Sequence, residues 1–277
     1  MFSWAKDLFP IYRSITGSGV RDTLSYLQKI VPELEIHSVA SGTQVYDWEV
    51  PDEWLIDDAY IEDELGNRII DFKKNNLHLV GYSESVDQWM NLDELEEHLY
   101  SLESQPTAIP YVTSYYSRCW GFCLSHEQRL SLEDKQYHVV IDSDFKKGVM
   151  NYGEIIIKGE SSEEILLSTY ICHPAMANNE LSGPVVTTGI AQWLSTLKKT
   201  RYTYRIVFIP ETIGSIVYLS KHAEYMKEHT IAGLVLTCIG DNKDYSLLPS
   251  RAGDTLIDRV SSYVLNHYVK SYTQYSY

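Results

Sequence analysis

The chain has 277 residues, a formal net charge of −15 and a pI near 5.0, with 44% hydrophobic and 22% charged residues. No Lys/Arg-rich block occurs, which excludes the clustered positive charge that nucleic acids and anionic membranes select. No run is long and apolar enough to cross a bilayer, and the start, MFSWAKDLFPIYRSITG, has charges and a proline where a signal peptide would be apolar.

This length allows one large domain or two smaller ones. The first segment predicts a helix: Leu24, Leu27, Ile30 and Val31 recur at helical spacing, after the turn Thr16-Gly17-Ser18-Gly19 and before Pro32. Short β-prone runs follow, IHSVASG, QVYDWEV and WLIDDAYIED, with Glu64-Leu65-Gly66-Asn67 as a hairpin-type turn and LHLVGYS as a further strand. Residues 92–102, LDELEEHLYSL, predict a short amphipathic helix with an acidic outer face. The aromatic stretch around Tyr115, Tyr116, Arg118, Trp120 and Phe122 comes next, then the strands YHVVIDSDF and NYGEIIIKG. Residues 42–159 thus have the texture of a small β-rich module.

The pattern changes after Glu163. EEILLSTYI, YTYRIVFI and IAGLVLTCI are continuous apolar strands suited to burial on both faces. Helices are expected over residues 183–197, with Val186, Ile190, Trp193, Leu194 and Leu197 inward, over IGSIVYLSKHAEYMKEH, and over residues 254–268. This alternation predicts a doubly wound α/β sheet. Three strands make a thin sheet, so a C-terminally truncated one is expected, with a natural short form as the alternative.

Cys119, Cys123, Cys172 and Cys238 sit mostly inside apolar runs. Free buried thiols in a reducing compartment are expected, which favours a cytoplasmic protein. Cys119 and Cys123 would share one face of a strand, but no zinc-knuckle spacing follows them.

Open α/β sheets bind ligands at the carboxyl ends of their strands. Three consecutive strands here end at His173, Glu211 and Asp241, and the loop after the first adds Asn178, Asn179 and Glu180. An imidazole and several carboxylates on one rim suit a zinc hydrolase: N and O ligands hold the ion, and a free carboxylate takes a proton from water. A hydrogen-bonded surface histidine and a helix-capping glutamate are the plain alternatives.

EILLSTYICHPAMANNELSGPVV, YRIVFIPETIGSIVYLS and AGLVLTCIGD with SRAGDTLIDRV resemble the aminopeptidase-like proteins of unknown function found in polysaccharide-biosynthesis settings. These are distant relatives of the M28 zinc aminopeptidases. LFPIYRSITG, SGTQVYDWEVPDEW and YYSRCWGFCLS extend the resemblance over essentially the whole chain. It implies a phosphorylase/hydrolase-like three-layer α/β/α sandwich with an inserted β-rich domain. The corresponding division is residues 1–41 and 160–277 for the aminopeptidase-like part and 42–159 for the insertion.

The resemblance also implies one zinc ion and cleavage of a peptide or amide bond. His173 matches the first zinc ligand, Asn179-Glu180 the pair that supplies a metal-bridging carboxylate, and Glu211 the catalytic glutamate. Thr212 stands where the peptidases carry a second glutamate, a third-strand aspartate falls at Thr237 or Cys238, and the late ligand histidine has no counterpart before Tyr277. A second metal is therefore not expected. Family members also tend to carry a C-terminal winged-helix domain, for which this chain has no counterpart.

Arg118, Trp120, Tyr116, Asp241 and Arg251 are candidates for contacting a peptide-like or amide-containing small substrate. β-domain core and a salt-bridged loop are the other readings of these positions. A catalytically inactive relative that binds a carbohydrate precursor or peptide is the alternative function. A homo-oligomer is compatible with the sequence.

Overall fold

The computed structural model describes residues 1–115 and 117–277; Tyr116, a candidate substrate contact, lies outside the described residues. The chain opens with α1 (Phe2–Leu8) and α2 (Ser18–Ile30). α2 buries Val20, Leu24 and Leu27, one stripe of a 3.6-residue period. β1 (Glu35–Ala40) follows. β2 (Glu53–Asp63), β3 (Arg68–Asp71), β4 (Val86–Asn91) and β5 (Gln136–Lys146) then form an antiparallel sheet in the order β3-β2-β5-β4. Its inward side chains alternate as the pleat requires: Ala59 pairs with Ile141 and Ile61 with Val139, all buried.

On the outward face His138 joins three strands. Its Nδ1 lies 2.9 Å from Glu62 Oε1, its Nε2 lies 2.8 Å from Asp87 Oδ1, and its ring stacks on Trp89 at 4.9 Å. The hydrogen bond to Glu62 is the main cause that raises the imidazole pKa above 6.5. A group with a raised folded-state pKa stabilises fully below its unfolded pKa, and that stability is lost as pH rises through the folded pKa. The urea midpoint is therefore expected to fall as pH rises above about 6.5, and to fall less in His138→Gln; parallel pH profiles of the two proteins would contradict this.

The chain continues through β6 (Val149–Ile157), β7 (Glu164–Tyr170), α3 (Ser182–Ser195), β8 (Thr203–Ile209), α4 (Ile213–His229), β9 (Thr230–Val235) and α5 (Leu256–Tyr268). The larger sheet has the order β1-β6-β8-β7-β9. β7, β8 and β9 are mutually parallel, as expected, whereas β6 runs antiparallel to β8 and β1 antiparallel to β6. The sheet is thus mixed and five strands wide, broader than three apolar runs suggest. β6 shares the texture of the β-rich stretch before it, and local alternation does not choose a strand's partners.

The chain steps from β7 to β8 and then returns past β7 to β9, so the right-handed crossovers α3 and α4 fall on opposite faces. β8 records this: Ile206 and Phe208 pack with Val185, Ala191 and Leu194 of α3, while Val207 and Ile209 pack with Ile213, Val217 and Tyr218 of α4.

Three local expectations are corrected. α3 turns Val185, Thr188, Ala191 and Leu194 inward and leaves Trp193 59% exposed. The small Gly183 sets this register, because a Cβ there would lie 2.3 Å from both Leu236 O and Thr169 Oγ1. The acidic helix spans only Leu92–Glu96, since Leu99–Tyr100 pairs with Phe122–Cys123 instead. β9 ends at Val235, and Cys238 beyond it is exposed with a φ of 51°. All four cysteines are free, and among the described residues no helix is long and apolar enough to cross a membrane.

Candidate functional site

β7 and β8 are parallel neighbours whose last residues, Tyr170 and Ile209, are in register. Whatever follows each strand must therefore meet. Ile171 N–H still bonds to Ile209 O at 3.1 Å, and one residue later Cys172, His173 and Glu211 bring a ligand atom each within 4.8 Å of one another. His173 Nε2 lies 3.3 Å from Glu211 Oε2. Cys172 Sγ lies 3.7 and 3.9 Å from the two imidazole nitrogens and accepts the Glu211 backbone N–H at 3.2 Å. The Glu211 side chain is half exposed, whereas Cys172 and His173 are buried.

The turn after Glu211 is strained. Thr212, at φ 60° and ψ −79°, is a β-branched residue with positive φ, a combination that sterics disfavour. It leads directly into α4.

The loop after Pro174 closes as one π-turn, Ala177–Leu181, which runs into α3. Such turns carry an extra residue per ring and recur at functional sites. Here the turn drives Glu180 wholly inside, where its Oε2 lies 3.0 Å from His173 Nδ1. Arg13 meets it from the N-terminal segment, with Nε 3.3 Å from Glu180 Oε1 and both side chains fully buried. The Arg13 N–H groups point at the His173 carbonyl (3.0 Å) and the Leu8 carbonyl (2.9 Å), so Glu180 Oε1 has a charge partner but no hydrogen bond.

Burial pushes the Glu180 carboxyl up, against the opposing pull of His173 and Arg13. Burial likewise lowers the Arg13 guanidinium, which Glu180 holds charged. Burial first, and Glu180 second, push the Cys172 thiol well above its usual range. Tyr111 and Tyr170 stand edge-on to the imidazole at 5.4 and 5.3 Å and wall it from solvent.

The other expected residues are dispersed. Asn179 keeps a buried Oδ1 without a hydrogen bond, and its Nδ2 lies 3.7 Å from Cys238 Sγ. Asn178 ties the rim by donating to Asp241 Oδ2 (3.2 Å) and accepting from Gly240 N–H (2.7 Å). Asp241 and Arg251 are exposed. Trp120 stacks on His98 at 3.5 Å, against the core of the smaller sheet, while Arg118 lies over Phe145 at 4.1 Å. Arg13 and Cys172 are the residues that the strand-end rule alone does not find. A lone arginine inside LFPIYRSITG was the only signal for Arg13.

The cluster can be tested against zinc by its separations. Two N/O donors on one tetrahedral zinc lie about 3.3 Å apart, given bonds of about 2.0–2.1 Å, and His173 Nε2 to Glu211 Oε2 is 3.3 Å. A sulfur and a nitrogen on the same ion lie about 3.5 Å apart, and Cys172 Sγ is 3.9 Å from Nε2. The His173–Glu211 spacing fits one ion, but Cys172 Sγ lies nearer to Nδ1 (3.7 Å) than to Nε2, over the ring face, and is not placed as a further ligand.

The mixed α/β fold is similar to that of the zinc aminopeptidases. The zinc aminopeptidase BSAP of Bacillus subtilis superposes with a TM-score of 0.65 at 9% identity, over 99% of this chain and 78% of that one. Residues 2–277 match the family described as domain of unknown function (DUF4910), and the chain belongs to that family.

A Clostridium acetobutylicum protein, named provisionally as a polysaccharide biosynthesis protein with an aminopeptidase-like domain, is 48% identical over 267 residues. That match covers 96% of this chain but 61% of the relative, so the chain spans about three fifths of its length. A crystal structure from C. acetobutylicum, named provisionally as a peptidase, has a TM-score of 0.96 at 47% identity, over all of this chain and 65% of that one.

Proposed function

We propose that the chain carries a zinc-dependent, aminopeptidase-type hydrolase site for a peptide or amide bond in a small substrate. The observation that carries this reading is the 3.3 Å approach of His173 Nε2 to Glu211 Oε2 at two adjoining strand ends. His173 Nε2 would hold the ion, with the Glu211 carboxylate beside it. When bound, zinc supplies Lewis acidity and lowers the pKa of water.

The chain's own groups do the rest. Glu180 accepts the His173 Nδ1–H, which fixes the tautomer that leaves Nε2 free to act as a donor atom. Glu180, expected as a ligand, thus serves as the orienting carboxylate behind the histidine. Glu211 has room at its exposed oxygen to take the proton of an attacking water and return it to the leaving amine. Helices on both faces of the larger sheet suit the hydrolase-like α/β/α layering, and the β2–β5 sheet stands as the substrate-side insertion. The name of the C. acetobutylicum relative points to polysaccharide biosynthesis as the setting of the substrate.

About one zinc per chain is expected by elemental analysis, and less than a tenth of that in His173→Ala. Equal zinc in both proteins, or none in the native chain, would defeat the proposal. One feature favours a non-catalytic binding protein instead: both His173 nitrogens already face carboxylates. On that reading His173→Ala leaves ligand affinity unchanged.

A further inference from the structure

A cavity of about 320 Å³ opens on the side of the smaller sheet. Its walls are the rings of Tyr82, Tyr115 and Phe145, and its rim carries Glu49, Asp52, Arg118 and Lys147. The volume is at the lower end for small-molecule sites, about 300–1,000 Å³, and has room for one substituted ring.

Two features mark it as more than a packing gap. Tyr82 and Tyr115 both have positive φ, 66° and 47°, a backbone state that bulky residues rarely adopt. Their rings meet at 5.5 Å to form one wall. The cavity is also linked to the cluster through two side-chain relays. Tyr115 hydrogen-bonds the Tyr111 side chain, whose ring edge faces His173 at 5.4 Å. Tyr82 Oη accepts the N–H of Ile15, two residues from Arg13.

The rim charges decide what would fit. Lys147 Nζ lies 2.8 Å from Asp52, and Arg118 lies 3.9 Å from Glu84 with its guanidinium over Phe145. Both cations are already matched, so the carboxylate of a free amino acid or acidic sugar finds no unpaired counter-charge. A purely apolar side chain would cover two carboxylates and two cations and return no hydrogen bonds. Hydroxyl groups use both signs, donating to the acids and accepting from the bases, while a ring stacks on the aromatic wall.

We infer that this cavity is a specificity subsite for a neutral, hydroxyl-bearing sugar ring, whose amide substituent is directed at His173. The direction of that substituent rests on the hydrolase reading; the sugar subsite itself does not. Trp54 stacks on Tyr82 at 5.2 Å and supplies a fluorescence reporter.

The probes are the methyl glycoside of an N-acetylated hexosamine, a uronic acid and phenylalanine amide, titrated into the native chain. Saturable fluorescence change is expected with the first alone. Phe145→Ala and the exposed Arg118→Ala should each weaken it about tenfold, the effect of losing one stacked face. No saturable signal from the glycoside, tighter binding of either other probe, or indifference to both replacements would overturn the subsite. Sugar binding with no hydrolysis in zinc-loaded protein would overturn the hydrolase reading alone.

Discussion

Glu211→Gln is expected to lower hydrolysis of an aminoacyl anilide by about 10²- to 10⁴-fold, the contribution of a positioned general base. Glutamine keeps the length and shape of the side chain and an oxygen toward the cluster, but it cannot accept the proton of a water. The substitution leaves the fold's contacts in place. The side chain is 52% exposed, and its recorded contact to the buried frame is the approach to His173 Nε2. The backbone N–H of residue 211 goes on donating to Cys172 Sγ. The melting temperature should therefore hold, and zinc should remain on His173. Turnover and zinc measured on one sample separate the roles. Full activity at full zinc removes Glu211 from the chemistry, and joint loss of zinc and activity makes it first a ligand.

The parts of the fold that were legible in the sequence share one physical property. β7 and β8 are apolar runs inside the sheet, and α4 is a helix whose bounds match its pattern, whereas β9, read as buried on both faces, is a half-buried edge strand with Val235 68% exposed. In β7, β8 and α4 a local signal and the tertiary environment agree. The rim position of His173 and Glu211 followed from them, because parallel neighbours end side by side.

What was not legible depended on distant partners. β6 looks like a member of the β-rich stretch, and only its pairing assigns it to the larger sheet. The inward turn of Glu180 needs the π-turn, which no residue pattern announces. Arg13 sits 160 positions from the carbonyl it holds, in a segment without periodicity. Cys172 looked like an inert core thiol, and its place beside His173 and Glu211 follows from the strand ending at Tyr170, two residues before it. Trp193 and Val186 were read as the inward face of α3, but the close approach at Gly183 rotates the helix by about one residue.

Arg13→Met is expected to destabilise the protein by about 3–5 kcal/mol, the cost of leaving a buried charge without its partner. Glu180 has no exposure and Arg13 only 1%, so no water replaces the guanidinium. The replacement also strips donors from the carbonyls of Leu8 and His173. A double-mutant cycle separates the charge from those bonds. Arg13→Met with Glu180→Met should recover most of the loss, because a matched apolar pair needs no desolvated partner. Urea unfolding of the four proteins measures this coupling, and purely additive losses would show that the two residues do not act as a pair. The double variant has a second use, since His173 Nδ1 then lacks its carboxylate while the fold survives. Its zinc affinity should drop about 10- to 100-fold, the usual cost of removing an orienting partner behind a metal-bound histidine. Unchanged affinity would mean that Glu180 serves the fold and not the metal.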